Sequence, residues 1–143
     1  MNFCLIAAAV ALRSSLQLRA PSLDLEVTAL SGGNQQKVVL GKWLQVRPRV
    51  LLLDEPTLGI DVGSKHEIYQ LMSTWTEQGI AIVLITSEMP ELLGLSDRIL
   101  VMHRGQVTGT LVRGEATAER VLEAAMGRVT GPTPARPRPG GDA

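Results

Sequence analysis

Residues 30–61 read LSGGNQQKVVLGKWLQVRPRVLLLDEPTLGID, and the fold follows from the two ends of this stretch. At its far end Val50-Leu51-Leu52-Leu53 is a run of four apolar residues closed by two adjacent carboxylates, Asp54 and Glu55. Such a run, bounded by Pro48 and Pro56, predicts a strand buried on both faces, as in a parallel sheet covered by helices. Asp54 and Glu55 then sit at the carboxyl end of that strand, where ligands bind in open α/β sheets. Side chains alternate along a strand, so the two carboxylates face different ways. One can hold a hard cation such as Mg²⁺, and the other can orient or deprotonate a water. Taken alone, the same run is equally an ordinary strand ending in a solvated acidic turn.

At the near end, Ser31 is a good N-cap, and Gly32 and Gly33 let another chain or ligand approach the backbone. Val39, Leu40, Trp43 and Leu44 follow at helical spacing, predicting a helix from about Gly33 to about Val46 with one apolar face and with Lys37 and Lys42 on its wet side. The free N–H groups and positive dipole end of such a helix suit phosphate.

Taken in order, these segments resemble the ABC-type ATPases. LSGGNQQ (Leu30–Gln36) is similar to that family's signature motif, VLLLDEP (Val50–Pro56) to its Walker B motif, and LGID (Leu58–Asp61) to its D-loop. Asn34, at a position usually held by Gln, makes the match closest to the ATP-binding subunits of bacterial monosaccharide importers of the ribose, galactose and xylose type, and to the second of their two tandem nucleotide-binding domains. The resemblance covers about Pro21 to about Gly127.

It implies an α/β fold: a partial P-loop NTPase domain, with a mostly parallel sheet flanked by helices and lacking the P-loop strand. It implies ATP and Mg²⁺ as cofactors. Asp54 would help hold Mg²⁺ and Glu55 would be the general base. Ser31, Gly32, Gly33, Asn34 and Gln35 would meet nucleotide held by an opposite domain, and Asp61 would couple the two sites. The implied partners are a second nucleotide-binding domain, membrane permease subunits and, indirectly, a periplasmic sugar-binding protein. The implied location is cytoplasmic, at the inner face of the membrane through the permease.

Two departures from the family pattern bear on activity. The chain contains no GxxxxGK followed by Ser or Thr, the glycine-rich loop that cradles triphosphate. And Thr86-Ser87-Glu88 places Ser87 where most ABC ATPases carry a histidine facing the γ-phosphate. A hydroxyl brings no positive charge, and removing a charge-assisted contact of this kind costs about 2–4 kcal/mol at a transition state. The expectation is an ATPase subunit, or part of one, that is not autonomous. The competing reading is a non-catalytic interaction or regulatory fragment.

Composition is consistent with this. The 143 residues suffice for one domain with a core. A formal net charge of zero argues against nucleic acid as a general partner, and the sequence shows neither the basic patches nor the coiled-coil arms expected of an ABC ATPase of DNA repair or translation. The single cysteine, Cys4, excludes an internal disulfide. The opening MNFCLIAAAVAL has no Lys or Arg before its apolar run and reads as a buried helix rather than a signal peptide, with Leu5, Ala8, Ala9 and Leu12 on one face.

Further along, Asp61 is expected to cap a helix whose buried stripe is Ile68, Leu71, Met72 and Trp75, with His66 on the wet face. Ile80–Ile85 reads as a second buried strand. Pro90 opens a short helix through Leu95. Ile99–Met102 and Val107–Val112 read as strands about an Arg104-Gly105 turn. A last helix, about Thr117 to Met126, would bury Ala118, Val121, Leu122, Ala125 and Met126. The expected division is residues 1–129 as the C-terminal part of the nucleotide-binding domain and 130–143 as a disordered Pro/Gly-rich tail.

Overall fold

The computed structural model describes residues 3–128. The tail expected at 130–143 lies outside the described residues. The described residues form two compact units, divided between Ile85 and Thr86.

The first unit runs α1 (Phe3–Ser15), a short 3₁₀ turn (Val27–Ala29), α2 (Gly32–Leu44), β1 (Val50–Asp54), α3 (Val62–Glu77) and β2 (Ala81–Ile85). β1 and β2 pair in parallel, from Val50 opposite Ala81 to Asp54 opposite Ile85. The Glu55 N–H carries the ladder one residue further, donating to the Ile85 carbonyl at 2.8 Å. Parallel strands need a crossover, and α3 supplies it. Ile68, Leu71, Met72 and Trp75 of α3 are all buried, as their spacing requires. Each contributes roughly 1.5–3 kcal/mol of apolar transfer.

β1 is not buried on both faces. Leu51 and Leu53 are buried, whereas Val50 is exposed and Leu52 is 71% exposed. On β2, Val83 and Ile85 are likewise exposed. A four-residue apolar run states that both faces of a strand can be covered, but it does not supply the second layer. Among the described residues of this unit only one face of the pair is covered.

α2 departs from expectation on both its faces. Leu40 is buried, but Val39 and Trp43 are half-exposed, with the Lys42 ammonium 5.6 Å from the Trp43 ring centre. Lys37, expected in water, is 1% exposed. The buried side of the helix is instead Gly33, Lys37, Leu40 and Gly41. Gly41 admits α1: a Cβ there would run into Leu16 and come 3.5 Å from Leu12.

The second unit runs α4 (Met89–Leu95), β3 (Arg98–His103), β4 (Gln106–Val112) and α5 (Ala118–Ala125). β3 and β4 form an antiparallel hairpin. Its two-residue turn, Arg104-Gly105, has positive φ at both positions (46° and 77°), the backbone twist that matches paired strands. Ile99, Val101, Leu111, Val121 and Ala124 make its core, flanked by Met89, Leu92 and Leu93 of α4. α5 thus buries Val121 and Ala124, while Ala118, Leu122, Ala125 and Met126 stay exposed. The helix is rotated from the expected face, with Ala124 rather than Ala125 packed among Ile99, Val101 and Leu111. There the Thr108 hydroxyl donates to the Ala124 carbonyl at 2.7 Å.

Candidate functional site

All but one of the residues singled out from the sequence fall in the first unit, at two helix tips and one strand end. At the strand end, Asp54 is the last residue of β1 and is exposed; Glu55 is half-buried. Glu55 has φ +44°, in the left-handed region that costs a non-glycine residue about 1–3 kcal/mol. The strain is held by the ladder bond at its N–H and by its carbonyl, which accepts from Leu58 N–H at 3.2 Å. Pro56 and Thr57 behind it are buried. The turn therefore bends the chain sharply at the second carboxylate and leaves the first at the open end of the strand.

A cation shared with phosphate oxygens needs only one or two protein carboxylates. Asp54, exposed at the end of β1, is a carboxylate that fits such an ion, as the Mg²⁺ that accompanies a nucleotide would be. A cage made wholly of protein ligands does not fit, since no group of three or more His, Cys, Asp or Glu among the described residues could hold a metal.

The tip of α2 is built differently from a simple capped helix. Ser31 occupies the N-cap position, but its hydroxyl caps nothing. It accepts from the Asn34 side-chain amide at 2.8 Å instead. The Asn34 carbonyl oxygen accepts from the Arg19 N–H at 3.1 Å. The Gln35 amide reaches back to the Leu30 carbonyl at 2.8 Å. Asn34 and Gln35 thus spend their side chains on shaping the tip. What the tip presents outward is Ser31 and Gly32, both exposed, and a Cβ at Gly32 would meet nothing within 4 Å.

Gly33 does the opposite of Gly32. It is buried, and a Cβ there would collide with Ser64 of α3. Gly32 is thus open to an approaching group, whereas the Cβ side of Gly33 is taken up by the contact between α2 and α3. Ser64 in turn donates its N–H to Asp61 Oδ1 at 3.0 Å, the N-cap bond of α3. That bond and the Ser64 hydroxyl hold the Asp61 carboxyl below its ordinary pKa. The signature tip and the D-loop-like turn are therefore one packed corner: Ser31-Gly32-Gly33 on one helix, Ile60-Asp61-Ser64 on the other.

One charge cluster there escaped the sequence. Lys37 Nζ donates to Glu67 Oε2 at 2.6 Å and to the Gln17 carbonyl at 3.3 Å. Arg19 donates to the other Glu67 oxygen at 2.7 Å. These contacts, with the Lys37 hydrogen bond first, hold the Glu67 carboxyl below its usual value. The only sequence signal was that Lys37 falls on the Ser31–Asn34 side of the helix and Glu67 lies beside Ile68.

Ser87 lies in the second unit and is exposed, two residues after β2 ends. Beside it the Thr86 hydroxyl donates to the buried Glu91 carboxylate at 2.6 Å. A cavity of about 660 Å³ in the first unit, lined by Arg47, Arg49, Trp75 and Gly79, opens at the amino ends of the strands, away from Asp54 and Glu55. Its position argues against its being the nucleotide site.

Residues 6–58 match the family described as ABC transporter. Over 112 residues, 78% of the chain, it is 57% identical to a ribose import ATP-binding protein of Oceanobacillus iheyensis, of which it covers 23%. It is 56% identical over the same length to a xylose import ATP-binding protein of Geobacillus kaustophilus, covering 22% of it. The chain thus spans less than a quarter of the length of these relatives. Among solved structures it is similar in fold to an ATP-binding cassette of an ABC transporter in its ADP conformation (TM-score 0.75, 24% identity, 90% of this chain, 52% of that one). It is similar also to a dimeric bacterial ABC transporter cassette (TM-score 0.68, 24% identity, 79% of this chain, 49% of that one).

Proposed function

We propose that the chain is part of one α/β cassette of an ABC-type ATPase and that it serves the energy-coupling ATPase of a monosaccharide importer, contributing one half to each of two nucleotide sites. Identities of 56–57% to ribose and xylose import ATP-binding proteins support the substrate class. The observation that carries the reading is the arrangement of the two halves. An exposed Ser31-Gly32 tip is packed through Gly33 onto the helix that Asp61 caps, and a strained Glu55 follows Asp54 at a strand's carboxyl end.

In this reading the partners are a nucleotide-binding domain carrying its own P-loop and the importer's membrane subunits, with a periplasmic binding protein upstream of them. No described helix is long and apolar enough to cross a membrane. The second tandem domain is the position in the importer ATPase that Asn34 and Ser87 fit best.

Each residue then has one task. Ser31 and Gly32 close over the γ-phosphate of ATP bound by the partner, using the hydroxyl and the first-turn N–H groups that no side chain caps. Asp54 would hold the Mg²⁺ of the nucleotide at the other half-site. When bound, that ion neutralises charge on the phosphate oxygens. Glu55 orients the attacking water and takes its proton. Asp61, charged and fixed by Ser64, senses the partner across the interface. Ser87 carries an uncharged hydroxyl at the sequence position where most of the family has a histidine, which favours slow turnover.

ATP turnover by the purified chain, alone and mixed with a P-loop-bearing ABC cassette, tests the division of labour. Negligible turnover alone, and turnover in the mixture that Gly32→Asp removes, is the expected result. Steady hydrolysis by the isolated monomer that Glu55→Gln abolishes would overturn it. Failure of the mixture to respond at any concentration would favour a non-catalytic module.

A further inference from the structure

The Arg19–Glu67–Lys37 cluster has no part in the half-site roles above, yet it ends at them. Ser31, Asn34 and Lys37 recur at three-residue intervals on α2 and so lie on one side of the helix. A continuous set of polar contacts joins them to α3. The Ser31 hydroxyl accepts from Asn34, Asn34 accepts from the Arg19 N–H, the Arg19 guanidinium donates to Glu67, and Glu67 accepts from Lys37. Glu67 stands six residues after Asp61 on the helix that Asp61 caps.

Resting on the reading of Ser31 and Gly32 as the lid over a partner's nucleotide, we propose that Glu67 is a positioning residue. By gripping Arg19 and Lys37 at once it sets the rotation of α2 against α3, and with it the direction in which Ser31 and Gly32 face that nucleotide. Burial of Lys37 is what gives the device its selectivity. A methionine of similar length would fill the same space at lower desolvation cost, whereas a buried ammonium tolerates only geometries that keep its partner. Arg19 shows that packing is not the purpose on the other side. Its side chain is 81% exposed and still turned onto Glu67.

The full chain, mixed with an ABC cassette that carries its own P-loop, tests this with two readouts: maximal turnover against KM for ATP, and the NMR amide signals of Ser31 to Asn34. Arg19→Ala, an exposed change that leaves thermal melting in place, and Glu67→Gln should each lower maximal turnover about 10- to 100-fold. KM should move less than about threefold. Glu67→Asp should recover part of the rate, and the Ser31–Asn34 signals should shift in all three variants. If Arg19→Ala leaves those signals and the rate unmoved, the inference is overturned. It is equally overturned if the Glu67→Gln rate falls only in proportion to unfolded protein. Gly32→Asp separates the two levels. Loss of turnover with Gly32→Asp but not with Arg19→Ala sinks the positioning role alone, whereas no loss with Gly32→Asp sinks the lid reading and the positioning role together.

Discussion

Lys37 Nζ lies 2.6 Å from Glu67 Oε2, and the two exposures are unequal: the lysine side chain is 1% accessible and the glutamate 26%. The pair is thus asymmetric in what each partner loses when the other is removed. Glu67 keeps solvent and Arg19, while Lys37 keeps only the Gln17 carbonyl.

Glu67→Ala should therefore destabilise the chain by about 2–4 kcal/mol, near the lower part of the range for stranding a buried charge because the carboxylate is partly solvated. Lys37→Met should cost about 1 kcal/mol or less, since the space stays filled and Glu67 can hydrate. Urea unfolding of the two variants checks the order; equal losses would contradict the asymmetry.

The same pair predicts a pH dependence. Glu67 is depressed in the folded chain, so its contribution is present above the ordinary carboxylate value of 4.5 and is lost as pH falls through the lower, folded value. The urea midpoint should fall on acidification below about pH 5, and Glu67→Gln should flatten the slope.

Gly32 and Gly33 should part company. Gly33→Ala drives a methyl group into Ser64 and should cost about 1–3 kcal/mol, with part regained on adding Ser64→Gly. Gly32→Ala meets nothing and should leave stability unchanged or slightly raised, by up to about 1 kcal/mol. Thermal melts of the three variants decide it.

Leu53 and Leu52 are neighbours of one type with opposite surroundings. Leu53→Ala should lose about 2–5 kcal/mol and Leu52→Ala less than about 0.5 kcal/mol. A large loss at Leu52 would mean that a second layer covers that face.

In the second unit, Thr108→Val removes the hydroxyl that donates to the Ala124 carbonyl at 2.7 Å and to that of Val101 at 3.3 Å. The loss should be about 1–3 kcal/mol, seen as earlier unfolding of the hairpin and α5 amides in hydrogen exchange.

What the sequence by itself determined is local. A four-residue apolar run ends in Asp54 at a strand's carboxyl end; Asp61 caps α3; Ile68, Leu71, Met72 and Trp75 are buried; Arg104-Gly105 turns the hairpin. Each of these depends on a period, a cap or a turn residue within a few positions of chain. Tertiary structure alone decided which side of α2 is dry, that Gly33 packs on Ser64, that the Ser31 hydroxyl accepts from the Asn34 amide, and that Lys37 is sealed against Glu67 thirty residues away. A lysine's periodicity reads as a wet face because its charge must be solvated. Only a carboxylate brought from another helix can take the place of that water, and no local pattern announces which helix will come.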